Sequence, residues 1–323
     1  MKEKILQTLA DEQCISPEQI LLIREDENKR PFSLHWELKT ILYLGVVLLN
    51  TGLGLLIYLN IDTIGHQAVI AIIAAVCGAC FWYTNKHKAP FTFYRAESSS
   101  PYFDYIVLLG CFTFLILEGY LQYQYQVFGQ KYGLATFIPT VLFFAVAYYF
   151  DHKGVLSMAI TALASWLGIA VTPLDIFENT NFSSARIVYT GIVLGILLCA
   201  VSFLLDYRNI KKHFSFTYLN FGANILFVSC LAGLMTLNNK FFFAALLILI
   251  TSTAIIYAKK ENSFYFLVIA VLYAYWGVSY IMFQIDAFRS DAMFWYFIIS
   301  CSAILVFLAQ YKKILKVQSN DSI

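Results

Sequence analysis

Ten apolar stretches separated by short polar gaps fill most of the chain, at residues 41–59, 67–83, 105–121, 134–150, 155–172, 187–205, 215–237, 241–258, 264–283 and 292–310. Each approaches or exceeds the ~17–25 apolar residues that a helix needs to cross a bilayer core. The pattern predicts an all-α, polytopic integral membrane protein with about ten transmembrane helices. It divides the chain into a cytoplasmic helical prelude (1–39), a ten-helix membrane domain (40–311) and a short basic and polar tail (312–323).

Charge orients the threading. The second, fourth, sixth and eighth gaps hold Lys86, Lys88, Arg95, Lys153, Arg208, Lys211, Lys212, Lys259 and Lys260. Both tails are basic as well, with Lys2, Lys4, Arg24, Lys29, Arg30 and Lys39 before the first stretch and Lys312, Lys313 and Lys316 after the last. The remaining five gaps offer Lys131, Arg186, Lys240 and Arg289. Eighteen basic residues against four predict that the N and C termini both face the cytoplasm. That requires an even number of spans, which ten satisfies.

Composition agrees: 60% hydrophobic and 13% charged, against about 25% charged in soluble proteins. A net charge of +2 with dispersed basic residues gives no footing for nucleic acid. None of the seven cysteines lies in an expected outer loop, so no disulfide framework is implied. Cys77-Gly78-Ala79-Cys80 has dithiol spacing but no thioredoxin-like context, and reads as small residues at a helix contact.

In the prelude, Ser16, Pro17 and Gln19 make a helix start, with a capping oxygen, a ring suited to the first turn and a capping-box amide. Two short helices there cannot build a core alone, so docking on the membrane domain or on a protein partner of residues 1–39 is expected. The inner connection 84–104, with Ser98, Ser99, Ser100 and Pro101, reads as a flexible linker. Five spans plus five would make two inverted halves, which the count permits.

Glu118 is the one acidic or basic residue inside any of the ten stretches, and a carboxylate in hydrocarbon is by default a functional hypothesis. Gln122 and Tyr125 follow it at i+4 and i+7, on the same helix face. Such a group could bind a cation, carry a proton or hold a polar substrate. It lies about 20 Å along its helix from Tyr105 at 1.5 Å per residue, in the outer third, where an interfacial structural role competes. Asn50 sits mid-helix in the first stretch, beside Thr51, Gly52 and Gly54, and Asn220 and Asn224 are one turn apart in the seventh. These amides are candidates for a polar path or for interhelical hydrogen bonding. Trp276, Tyr273 and Tyr280 share one side of the ninth stretch and read as packing. Asp62 with His66, and Asp151 with His152, supply too few ligands for a closed zinc site, so neither a metal nor a cofactor is expected. No phosphate loop, nucleophile elbow or HExxH motif occurs.

Leu44-Gly45-Val46-Val47-Leu48-Leu49-Asn50-Thr51-Gly52-Leu53-Gly54, after a prelude carrying Ile15-Ser16-Pro17-Glu18-Gln19, resembles a bacterial family of predicted membrane proteins called domain of unknown function 2157. The likeness covers about residues 5–85. It implies a multi-pass protein of the bacterial inner membrane and brings no substrate and no catalytic residues. The residues themselves favour a carrier or channel-like protein for a small solute or ion, with Glu118 as the binding acid. The alternatives are a scaffold or sensor that recruits a partner through the prelude, and a membrane-embedded enzyme acting on lipid or envelope.

Overall fold

The computed structural model describes residues 35–94, 102–129, 132–171, 185–284 and 292–310. Among these residues there is no strand, and ten long helices follow one another in the order of the ten apolar stretches. They are α1 (His35–Ile64), α2 (His66–Lys86), α3 (Phe103–Tyr125), α4 (Tyr132–Phe150), α5 (Lys153–Val171), α6 (Ala185–Arg208), α7 (Ser215–Thr236), α8 (Lys240–Lys260), α9 (Phe264–Phe283) and α10 (Ala292–Ala309). Seven are long and apolar enough to cross a membrane: α2, α3, α4, α6, α7, α8 and α9. The apolar parts of the other three, Thr40–Leu56, Lys153–Gly168 and Trp295–Ile304, are shorter.

The chain divides into two compact units, Met1–Thr63 and Ile64–Ile323. In the first unit the described part is α1, where Asn50 Nδ2 donates to the Val46 carbonyl one turn back at 2.7 Å. Thr51 makes the same backbond to Val47 at 2.9 Å. The expected helices of residues 1–34, the Ser98–Pro101 part of the linker, the outer loop around 173–184 and the tail beyond 310 lie outside the described residues.

The second unit is built from antiparallel neighbours in sequence. Its centre is α7, half of whose spanning window is buried, against 17% for α8. One apolar cluster joins Val188 and Ile192 of α6 to Phe227, Cys230 and Leu234 of α7, Phe243 and Leu247 of α8 and Ala270 of α9. A second joins Leu219 and Ala223 of α7 to Ala258 of α8 and Phe266 and Leu267 of α9. Away from these contacts the helices present large apolar side chains outward: Ile248 is 68% exposed, Val193 60% and Leu204 55%. Such a surface suits contact with lipid, as expected of helices long and apolar enough to cross a membrane.

Small residues set the closest approaches. Cys77 and Cys80 are buried free thiols on the α2 face toward α3, where Cys77 Sγ lies 3.7 Å from the Gly110 carbonyl. A Cβ on Gly110 would lie 3.1 Å from that of Cys80. This is the helix-contact role that their small neighbours suggested.

Polar contacts knit the loops at the end of the bundle where α4 meets α5. Asp151, in the left-handed region at φ 59°, pairs its Oδ1 with Lys211 Nζ at 2.9 Å and His213 Nε2 at 2.6 Å. Lys211, also left-handed at φ 47°, donates its backbone N–H to the Phe93 carbonyl at 2.7 Å. The connection after α2 is therefore pinned at Phe93, not loose along its whole length as its composition suggested. Next to this cluster, Ser215 Oγ donates to Asp206 Oδ2 at 2.9 Å and meets Ser202 Oγ at 2.8 Å.

Candidate functional site

The sequence placed its strongest candidate on α3, and the local structure there is specific. The helix ends at Gln126, whose left-handed backbone (φ 47°) stops the turn while its N–H still reaches the Gln122 carbonyl at 3.0 Å. Gln122 then works with both ends of its amide. Nε2 donates to the Gly129 carbonyl at 3.0 Å and Oε1 accepts from the Phe128 N–H at 2.9 Å. Gly129 itself has φ 55°, a conformation that costs glycine least. The side chain at 122 thus folds the loop 126–129 back over the end of α3. Tyr120 anchors the same region to α2 through a 2.7 Å hydrogen bond between its hydroxyl and His66 Nδ1.

Beneath this loop lies a cavity of about 550 Å³ lined by Leu115, Glu118, Gly119, Gln122, Tyr123, Gln126 and Ala135. Glu118 is 7% exposed, and its Oε1 is buried with no hydrogen-bond partner among the described residues. Burying an acceptor without a partner costs about 1–3 kcal/mol, so the fold carries this group at a loss.

Ala135 of α4 lines the same cavity. Pro139 stands inside α4 and has no N–H to give the Ala135 carbonyl four residues back, so the helix ladder lacks a bond beside the cavity.

The cavity continues inward. A second cavity of about 430 Å³ shares Leu115 and Ala135 with the first and is lined further in by Thr136, Pro139, Ser157, Thr161 and Ser165. The three α5 hydroxyls repeat at i, i+4 and i+8 and so form one stripe. Each bonds the carbonyl a turn back, Ser157 to Lys153, Thr161 to Ser157 and Ser165 to Thr161, leaving its oxygen lone pairs to the cavity. This stripe is readable in the sequence as a period-four hydroxyl run beginning beside Lys153, but it was missed because no single member is unusual.

The six residues singled out from sequence fall in three places. Glu118 and Gln122 share the cavity, while Tyr125 is exposed and absent from its lining. Asn50 belongs to α1, in the first unit. Asn220 and Asn224 face α9: Asn224 Nδ2 bonds both Asn220 oxygens at 2.9 Å, and its Oδ1 accepts from Tyr273 at 3.1 Å. Tyr265 closes this group by donating to Asn220 Oδ1. On the aromatic side of α9, read as packing, Tyr273 and Tyr280 do pack against the apolar cluster, and with the more exposed Trp276 they also line an open groove with Asn224. Among the described residues no group of three or more His, Cys, Asp or Glu could hold a metal ion.

Residues 7–156 match the model of the family DUF2157, described as predicted membrane protein. The chain thus resembles this family over a stretch that starts in the prelude and ends in α5, taking in the Glu118 cavity wall on α3 and α4. No curated protein and no solved structure matches the chain.

Proposed function

We propose that this membrane protein is a carrier for a small cationic or hydrogen-bond-donating solute, with Glu118 as the acid that binds it. The observation that supports the reading is the buried carboxylate oxygen of Glu118, without a hydrogen-bond partner among the described residues, on a residue that lines a cavity adjoining a second one whose lining includes three hydroxyls. An intramembrane acid that served architecture would have drawn in a partner, because the neutral alternatives Gln122 and Tyr123 stand on the same cavity wall. Here Gln122 is spent on the loop instead. The α5 hydroxyls supply successive acceptors for a desolvated donor moving between the two cavities.

In this reading the chain sits in a bacterial inner membrane with both termini inside, as the eighteen-to-four distribution of basic residues supports. The hydroxyl stripe then leads from the cytoplasmic end of α5 toward an outer-third acid. The loop 126–129 forms the outer cover of the site.

Purified protein in proteoliposomes, screened against small organic and inorganic cations, tests this. Wild type is expected to move at least one of them, and Glu118→Gln to reduce that flux by about 10–100-fold, as loss of a charge-assisted contact worth about 1.5–3 kcal/mol would do. Flux that survives Glu118→Gln unchanged would remove the acid from the mechanism.

A further inference from the structure

A second cavity system, remote from Glu118 in the sequence, lies along α9. It has a volume of about 680 Å³, and its lining on α9 runs from Tyr265 to Phe283, with Asn224 of α7 and Phe297 of α10 on its sides. Eighteen residues separate those two ends, so at 1.5 Å per residue the lining extends over about 27 Å of helix. The groove is long, open on one side and lined mostly by aromatic side chains.

Its chemistry is equally directed. The polar groups on the lining turn their hydrogen bonds inward: Tyr275 to Ser300 at 3.0 Å, Ser279 to Tyr296 at 3.0 Å, Tyr280 to the Met235 carbonyl at 3.1 Å and Tyr273 to Asn224 at 3.1 Å. What remains for an occupant is ring faces and aliphatic surface. Trp276 and Leu272, 60% and 48% exposed, stand at the open side within a spanning helix, so entry is from lipid. One cation marks one end. Lys240 Nζ lies 5.9 Å from the Tyr280 ring centre, and among the described residues it makes no ion pair.

From this juxtaposition of a long aromatic groove and a terminal lysine, we propose that α7, α9 and α10 hold one anionic phospholipid, an acyl chain along α9 and the phosphate at Lys240. The charge complementarity selects the lipid, and the groove supplies the contact area. The bound lipid covers the otherwise open flank of α9.

The test uses Trp276 as a local reporter in vesicles of phosphatidylcholine that carry a minor fraction of brominated-chain lipid. Its signal is the difference between wild type and Trp276→Phe. Brominated phosphatidylglycerol is expected to be enriched at Trp276 about fivefold over brominated phosphatidylcholine, the factor that one lysine contributes at an anionic headgroup. Lys240→Gln, a change at an exposed position, is expected to bring the two lipids level. Soluble glycerol phosphate should leave the quenching unchanged. Equal quenching by the two lipids in wild type, an enrichment that survives Lys240→Gln, or displacement by glycerol phosphate would each overturn the proposal.

Discussion

Asp151→Asn is expected to lower the stability of the protein by about 3–5 kcal/mol, the cost of leaving a buried charge without its partner. The side chains of Lys211 and Asp151 are 2% and 4% exposed, so neither can exchange its partner for water. The main chain at Lys211 is fixed by the bond from its N–H to the Phe93 carbonyl. Asparagine keeps an acceptor oxygen but removes the charge, and the face of Phe91, 5.1 Å from Lys211 Nζ, recovers about 0.5–2 kcal/mol as a cation–π contact. Asparagine tolerates the left-handed backbone at position 151, so the substitution isolates charge from conformation. Chemical unfolding in detergent measures the loss. The double variant Asp151→Asn, Lys211→Met is expected to recover most of it, since an apolar replacement of a buried pair is close to neutral. A single variant as stable as wild type would show that the pair is solvated.

Gly195→Ala is expected to destabilise the protein by about 1–3 kcal/mol, the usual cost of overpacking. A Cβ there would lie 2.9 Å from the Gly222 carbonyl oxygen, 3.0 Å from the Leu226 nitrogen and 2.5 Å from Leu226 Cγ. Two of these are backbone atoms of α7, so α6 and α7 would have to part. The approach is reciprocal, because a Cβ on Gly222 would lie 3.0 Å from the Gly195 carbonyl oxygen. Gly191, Gly195 and Cys199 stand one turn apart on α6, the spacing by which small residues bring membrane helices together. Gly78→Ala is the matched control. Nothing lies within 4 Å of its Cβ position, and the same change there is expected to be neutral or to stabilise by up to about 1 kcal/mol. Thermal unfolding of the two variants side by side checks the contrast, and equal shifts would contradict it.

The two sites differ in how far the sequence foretold them. Helix positions were legible because hydrocarbon length and apolar runs are the same signal. The stretch 264–283 became Phe264–Phe283, and 134–150 became Tyr132–Phe150. The first stretch grew at both ends, to His35–Ile64, because backbone hydrogen bonding continues where apolarity stops. Glu118 was legible because it is alone in its class. Lys211 was not: it counted as one more topological charge, and its partner Asp151 lies on a different loop, a pairing that only the fold creates. Nor could the face of α9 be judged from Tyr273, Trp276 and Tyr280. Periodicity says which side chains share a side of a helix, not whether a neighbouring helix fills the space before them. The Ser157, Thr161 and Ser165 stripe was visible as a period but acquired meaning only next to the Ala135 and Pro139 wall.

The central claim is that the fold carries Glu118 for a ligand and not for its own stability. The thermal midpoint of purified Glu118→Leu in detergent tests it most directly. If the carboxylate is held without a partner, removing it is expected to stabilise the protein by about 1–3 kcal/mol, the cost of an unsatisfied buried group, and raise the midpoint. A midpoint lowered by a comparable amount would mean that Glu118 is an architectural hydrogen-bonding residue, and would contradict the account.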